Sequence, residues 1–315
     1  MKQNLPHSVS RCLVLVFCVF LTQATYSQIN ESASYMDAGI TVGPSNFLGD
    51  LGGNMGRGTT FLKDNNIPKT KLTIGGFVTY HPSELIAFRL AVNFGSLEGD
   101  DAIIKPKGGL EEARLMRNSN FRSRFSEAIF LVELCPLIFL EEDPSDTYRK
   151  FRPYAVAGIG GFKYNPEGFD PVSNQWVALR PLRTEGQGFA EYPDRKEYKL
   201  MQMNIPMGAG VKYYLSDAVD ISFEIIHRKT FTDYIDDVST NYVDPALFYN
   251  YMPASQAQLA ERMANKSSGR FAAGDKRGTP TNNDAYYSAG FKIAFRLGSS
   301  RNSRWSNSTS CPIRF

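Results

Sequence analysis

QMNIPMGAGVKYYLSDAVDISFEIIHR, residues 202–228, is two alternating runs joined by a short SDA segment at 216–218. In the first run Met203, Ile205, Met207, Ala209, Val211, Tyr213 and Leu215 share one parity. Gln202, Asn204, Pro206, Gly208, Gly210, Lys212 and Tyr214 share the other. In the second run Val219, Ile221, Phe223 and Ile225 oppose Asp220, Ser222, Glu224 and Arg228. A period of two marks strands whose faces differ in chemistry. One face is apolar without interruption, and the other is small, polar or charged.

The same period recurs along the chain. In ELIAFRLAVNF (84–94), Ile86, Phe88, Leu90, Val92 and Phe94 oppose Ala87, Arg89, Ala91 and Asn93. In YYSAGFKIAFRL (286–297), Tyr287, Ala289, Phe291, Ile293, Phe295 and Leu297 oppose Ser288, Gly290, Lys292, Ala294 and Arg296. With KLTIGGFVTY, YMDAGITVG, RFSEAIFLVELC and RPYAVAGIGGFKY, the pattern predicts eight strands at 35–43, 71–80, 84–94, 124–138, 153–164, 202–215, 219–228 and 286–297. HPS and SDA make short connections, and EEDPSDTYRK (141–150) a moderate one. The remaining connections, 44–70, 95–123, 165–201 and 229–285, are long. Alternating short turns and long loops, with apolar residues on one parity, predict an all-β, eight-stranded antiparallel transmembrane β-barrel with short periplasmic turns and long extracellular loops. A soluble sandwich would turn its apolar faces inward and show no such asymmetry of loops.

Export fits this reading. Lys2 and Arg11 precede CLVLVFCVFLTQA (12–24), and small residues follow to Ser27. That order predicts a secretory signal peptide over 1–27, then a barrel over 28–297 and a periplasmic tail over 298–315. Cys12 and Cys18 lie inside the apolar run, which argues against a lipoprotein. The formal charge of +3 falls by two with Lys2 and Arg11, so nothing in the charge balance points to nucleic acid. The expected location is the cell outer membrane.

Eight strands enclose a space that side chains fill. The face predicted to point inward carries Asp37, Glu127, Glu133 and Glu224 with Arg89, Lys212, Arg228, Lys292 and Arg296. In so narrow a lumen these charges must pair, because an unpaired buried charge is costly. A plug of ion pairs is expected, not a solute channel. Catalysis is not expected either. The histidines are His7, His81 and His227: one falls in the signal peptide, one in a turn beside Pro82, and one on the lipid-side parity. G-x-S-x-G, H-E-x-x-H, paired C-x-x-C and P-loop patterns are missing. GIGG at 158–161 reads as close packing of strand glycines. No cofactor, metal or small-molecule substrate is implied.

Two further features carry expectations. FTDYIDDVSTNYVD (231–244) places Asp233, Asp236 and Asp237 at the root of the last long loop. It lacks the glycine and closing glutamate of an EF-hand, so it reads as an ordered loop base, with Tyr234 and Tyr242 suited to an interfacial aromatic girdle. The tail holds Arg301, Arg304, Trp305 and Arg314, a basic docking surface for a periplasmic partner. A Cys135–Cys311 bond would tie that tail beneath the barrel; alternatively Cys311 stays available to a partner.

WVALRPLRTEGQG (176–188), IPMGAGVKYYL (205–215) and HRKTFTDYIDDVSTNYVD (227–244) resemble the PorG-like outer-membrane proteins of Bacteroidota, as do RPYAVAGIGGFKYNPEG (152–168), GPSNFLGDL (43–51) and CPIRF (311–315). The resemblance spans nearly the whole chain after residue 27. It implies a non-catalytic barrel of the type IX protein secretion system, associated with a periplasmic ring of a lipoprotein and its partner (PorK and PorN type), with relatives serving gliding motility. PASQAQLAERMAN (253–265), a predicted short helix in the 229–285 loop, departs from that pattern. The alternative is a surface-exposed adhesion or ligand-binding barrel acting through its extracellular loops.

Overall fold

The computed structural model describes residues 34–51, 67–105, 108–109, 111–137, 150–216 and 218–297. The strands are β1 (Tyr35–Leu48), β2 (Lys71–His81), β3 (Ile86–Asp100), β4 (Asn120–Leu134), β5 (Phe151–Asp170), β6 (Gln175–Ala178), β7 (Met201–Tyr214), β8 (Val219–Thr230) and β9 (Ala285–Leu297). β6 is a four-residue strand that pairs only with the end of β5. The other eight pair antiparallel in a ring, closed by β1 with β9 and by β4 with β5. The fold is a closed eight-stranded β-barrel.

Its register can be walked from strand to strand. Met36 pairs with Tyr80, Tyr80 with Phe88, Phe88 with Val132 and Val132 with Ala157. Ala157 pairs with Met207, Met207 with His227, His227 with Tyr287, and Tyr287 with Asn46. The circuit returns to β1 at Asn46, ten residues above its starting point at Met36. That stagger tilts the strands by roughly 40° and leaves a bore that side chains can fill.

At the lower end, where the short turns lie, the outward parity is apolar: Ile40 (61% exposed), Leu90 (64%) and Phe291 (64%) face away from the protein. The inward parity holds Arg89, Glu127, Glu133, Lys212, Glu224, Arg228 and Lys292, all buried. No helix of the described residues is long and apolar enough to span a membrane, and none is needed. A closed barrel satisfies every backbone group internally and shows hydrocarbon only apolar side chains. This is a barrel of the outer-membrane type, with its short turns on the periplasmic side and its long loops outside.

Above the apolar band the pattern inverts on the same strands. β1, β3, β4 and β5 run several residues past the predicted bounds, and Phe47, Leu97, Phe121, Phe125, Phe162, Tyr164 and Tyr286 now point inward. Arg122, Arg124, Lys163, Asn165 and Glu167 point outward. Water surrounds this rim, so apolar surface gains by turning in. Leu51, Tyr198, Ile235 and Val238 from the outer loops close over the top of this core. A second core packs α2 (Phe248–Tyr251) and α3 (Ala254–Ala264) on Leu179, Leu182, Phe189 and Val243. A short helix α1 (Glu111–Arg117) completes the cap. The 253–265 stretch is helical, as its sequence predicts.

Candidate functional site

Two tiers of buried charge fill the barrel. In the lower tier Arg89 Nη1 donates to both oxygens of Glu224 at 2.9 and 2.8 Å, and Nη2 donates to Glu133. Tyr154 donates its hydroxyl to Glu224 at 2.9 Å. Lys212 lies 3.6 Å from Glu133, and Lys292 lies 3.6 Å from Glu224 and 3.9 Å from Glu133. The ammonium of Lys292 also sits 4.6 Å above the Phe77 ring.

Glu127 organises the upper tier. Its carboxylate accepts from Arg228 at 2.8 Å, Asn93 at 2.8 Å, Asn204 at 3.1 Å and Tyr286 at 2.7 Å. A void of about 30 Å³ lies between the tiers, lined by Thr41, Thr73, Asn93, Arg228 and Lys292 among others. That is room for a water molecule or two, which polar walls would hold. It is no route for a solute.

The periplasmic mouth is closed by a third cluster. Asp37 Oδ2 accepts from His81 Nε2 at 2.7 Å. Tyr35 stacks on His81 with ring centroids 4.3 Å apart, and the Arg296 guanidinium covers Tyr35 at 3.8 Å. Two sequence expectations need correction here. His81 does not lie in the turn: it is the buried last residue of β2, pointing into the lumen. Arg296 has the inward parity but lies at the mouth, where among the described residues it meets an aromatic face and no carboxylate. GIGG lies in mid-strand in β5, and a Cβ on Gly158 would stand 1.9 Å from the Phe130 carbonyl oxygen. Close strand packing is why glycine is required there.

The cap holds a separate buried polar set. Glu185 accepts from the backbone N–H groups of Ser239 (2.9 Å) and Thr240 (3.0 Å), the Thr240 hydroxyl (2.7 Å) and Arg277 (2.8 Å). Arg277 also donates to the Asp237 carbonyl at 2.6 Å, and Tyr198 donates to the Asp237 carboxylate at 2.6 Å. Asp237 adopts a left-handed backbone (φ 64°), a conformation Asp tolerates better than most residues. Asp236 accepts from the N–H of Leu51 and of Val238, both at 2.9 Å. Arg117 pairs with Asp101 at 2.7 Å and donates to the Asp50 carbonyl at 2.6 Å.

The loop root of the sequence analysis is therefore an interior. Asp233, Asp236 and Asp237 are all buried. Burial, together with Asp50 and Glu185 nearby, pushes Asp233 up to about 8. Burial raises Asp237 to about 6 against the pull of Arg277. Burial with Asp50 and Asp233 nearby raises Asp236, and burial with Asp236 and Asp233 nearby raises Asp284. Tyr234 and Tyr242 form no interfacial girdle: Tyr234 stacks on Tyr198 at 4.7 Å, and buried Tyr242 stacks on Phe271 at 5.3 Å. Glu185, Arg277, Arg117 and Asp284 went unassigned in the sequence reading. The only signal for them was the TEGQG block around Glu185.

Cys135 lies half-buried just below β4, with its N–H bonded to the Leu85 carbonyl at 2.8 Å. Cys311, Arg301, Arg304, Trp305 and Arg314, like residues 1–27, lie outside the described residues. Among the described residues no group of three His, Cys, Asp or Glu side chains is placed to hold a metal ion.

Solved structures resembling this fold include the attachment invasion locus protein Ail of Yersinia pestis, which is 6% identical with a TM-score of 0.35. The match covers 84% of this chain and 99% of Ail. A major outer membrane protein of Thermus thermophilus is 11% identical with a TM-score of 0.38, covering 84% and 100%. OprG of Pseudomonas aeruginosa is 11% identical with a TM-score of 0.34, covering 84% and 98%. No curated protein matches the sequence. Residues 10–175 match DUF6089, a domain of unknown function, over more than half of the chain. The chain belongs to the DUF6089 family.

Proposed function

We propose that this barrel is a non-catalytic component of the type IX protein secretion system of Bacteroidota, acting as an outer-membrane anchor for the periplasmic ring. The observation that carries the reading is the sealed lumen. Arg89, Glu133, Glu224, Arg228 and Glu127 occupy the bore, so the protein acts through its surfaces and not by conduction. The resemblance to PorG-like proteins supplies the partner: a ring lipoprotein and its companion, of PorK and PorN type. The periplasmic tail at 298–315, with Arg301, Arg304, Trp305 and Arg314, is the docking segment.

The test is affinity capture of the full chain from its own membrane, beside a chain lacking 298–315. The ring proteins should co-purify with the first and be lost from the second while the barrel still folds. Undiminished capture by the truncated chain would sink the docking role. The second reading, a surface-binding barrel, draws on the cap, whose two cores make a preformed outer surface. Secretion that persists when the cap is trimmed, with attachment lost, would select it.

A further inference from the structure

The outer rim is unevenly charged. On the β2–β3 side its lysines are neutralised: Lys69 pairs with Asp100 at 2.8 Å and Lys71 with Glu98 at 2.9 Å. On the β4–β5–β7 side Arg122 takes Glu167 at 2.6 Å. Arg124, Lys163 and Lys199 are exposed there, with no carboxylate at salt-bridge distance among the described residues. The register brings these three together. Lys163 pairs with Ser126 on one side and with Met201 on the other, while Arg124 pairs with Asn165. Arg124 and Lys163 are thus diagonal neighbours on one face, roughly 7 Å apart at their backbones. Lys199 shares the outward parity of Met201, two residues farther from the membrane.

Directly beneath them the lipid-facing surface is hollow. Ala128, Gly161 and Met203 each lie two residues below Ser126, Lys163 and Met201 on their own strands. With Gly76, Leu90 and Phe130 they border an apolar groove of about 810 Å³. Cations at the headgroup level above an apolar slot at the acyl level match one kind of occupant: a phosphate-bearing lipid of the outer leaflet. The geometry points to a seat for a phosphorylated glycolipid, its phosphates held by Arg124, Lys163 and Lys199 and an acyl chain lying in the groove. A free anion would use the cations and leave the groove idle, and at the groove's level β4, β5 and β7 are paired on both edges, which leaves a peptide no strand to add to. The seat is independent of the secretion reading.

The full chain in detergent, titrated with bis-phosphorylated lipid A and read by native mass spectrometry, tests this seat. The combined change Arg124→Gln, Lys163→Gln and Lys199→Gln should weaken binding by roughly tenfold or more, as expected when several cations facing an anionic headgroup are removed. Filling the groove with Ala128→Leu and Gly161→Leu should also weaken it. A Cβ on Gly161 meets nothing closer than 3.9 Å, so the strand accepts the larger side chain. Arg270→Gln with Lys276→Gln, on the exposed cap, should leave binding unchanged. Heat-dependent gel mobility reports folding of each variant, and Lys163→Gln alone answers in place of the triple change if that chain fails to fold. Equal binding of fully dephosphorylated lipid A, or a triple variant within roughly twofold of the parent, would overturn the proposal.

Discussion

The barrel and its cap are built from the same strands with opposite rules. In the lower part Ile40, Leu90 and Phe291 face out, and Arg89 and Glu224 face in. Farther along, on β3 to β5, Leu97, Phe121 and Tyr164 face in while Arg124 and Lys163 face out. The backbone does not change; the solvent does. Within hydrocarbon a charge is tolerated only inside the bore, whereas in water apolar surface is what must be hidden. The position at which parity switches its chemistry marks the outer edge of the bilayer.

Each half keeps buried charges, and removing one tests whether the halves stand alone. The largest effect is expected at Arg89, which holds Glu133 and Glu224 together. Arg89→Met leaves two carboxylates in a closed bore and should cost the barrel about 3–5 kcal/mol, the usual penalty for breaking a buried pair. Urea unfolding of the refolded barrel in lipid vesicles measures it. A loss under about 1 kcal/mol would mean that Lys212 and Lys292 already balance those acids.

A smaller and more local effect is expected at Glu185. Its carboxylate satisfies two backbone N–H groups, a hydroxyl and Arg277. Glu185→Ala should loosen the cap by about 3 kcal/mol, through orphaned donors and an unpaired guanidinium. Hydrogen exchange should rise over 232–240, while urea unfolding of the barrel stays unchanged. If both shift together, cap and barrel are one cooperative unit and the comparison fails.

The sequence made the membrane half legible because hydrocarbon enforces one simple rule. Residues 202–214 alternate without a break, and the eight strands follow from that rule together with the loop lengths. The upper extensions are harder to read because Arg122, Asn165 and Glu167 interrupt the apolar parity, although alternation itself continues through Leu97 and Phe121. Parity also says nothing of height along a strand. By parity alone Arg296 belongs with the lumen charges, while the fold leaves it over Tyr35 at the mouth. The cap site was the least readable part. Glu185 and Arg277 are 92 residues apart in sequence, and no local pattern pairs them. An acid-rich loop gives the same composition whether its carboxylates are solvated or sealed in.

That ambiguity leaves a mark that pH can read. Asp233 stays protonated to about 8 and Asp237 to about 6, whereas both lose their protons near 4 in an unfolded loop. Between those limits the folded cap binds more protons than the unfolded one, so its stability falls as pH rises. The contribution is complete below about 4 and is lost as pH climbs through 6 and then 8. Asp50, Asp236, Asp284 and Glu185 share this interior and add to the repulsion, while Arg277 and Arg117 partly offset it. Exchange of the 232–240 amides, corrected for intrinsic rates, should be slower at pH 5 than at pH 8.5. The amides of β8, whose Glu224 and Arg228 are held by Arg89 and Glu127, should show no comparable change. Equal protection of the cap at both pH values would place these carboxylates in contact with water and return FTDYIDDVSTNYVD to a solvated loop.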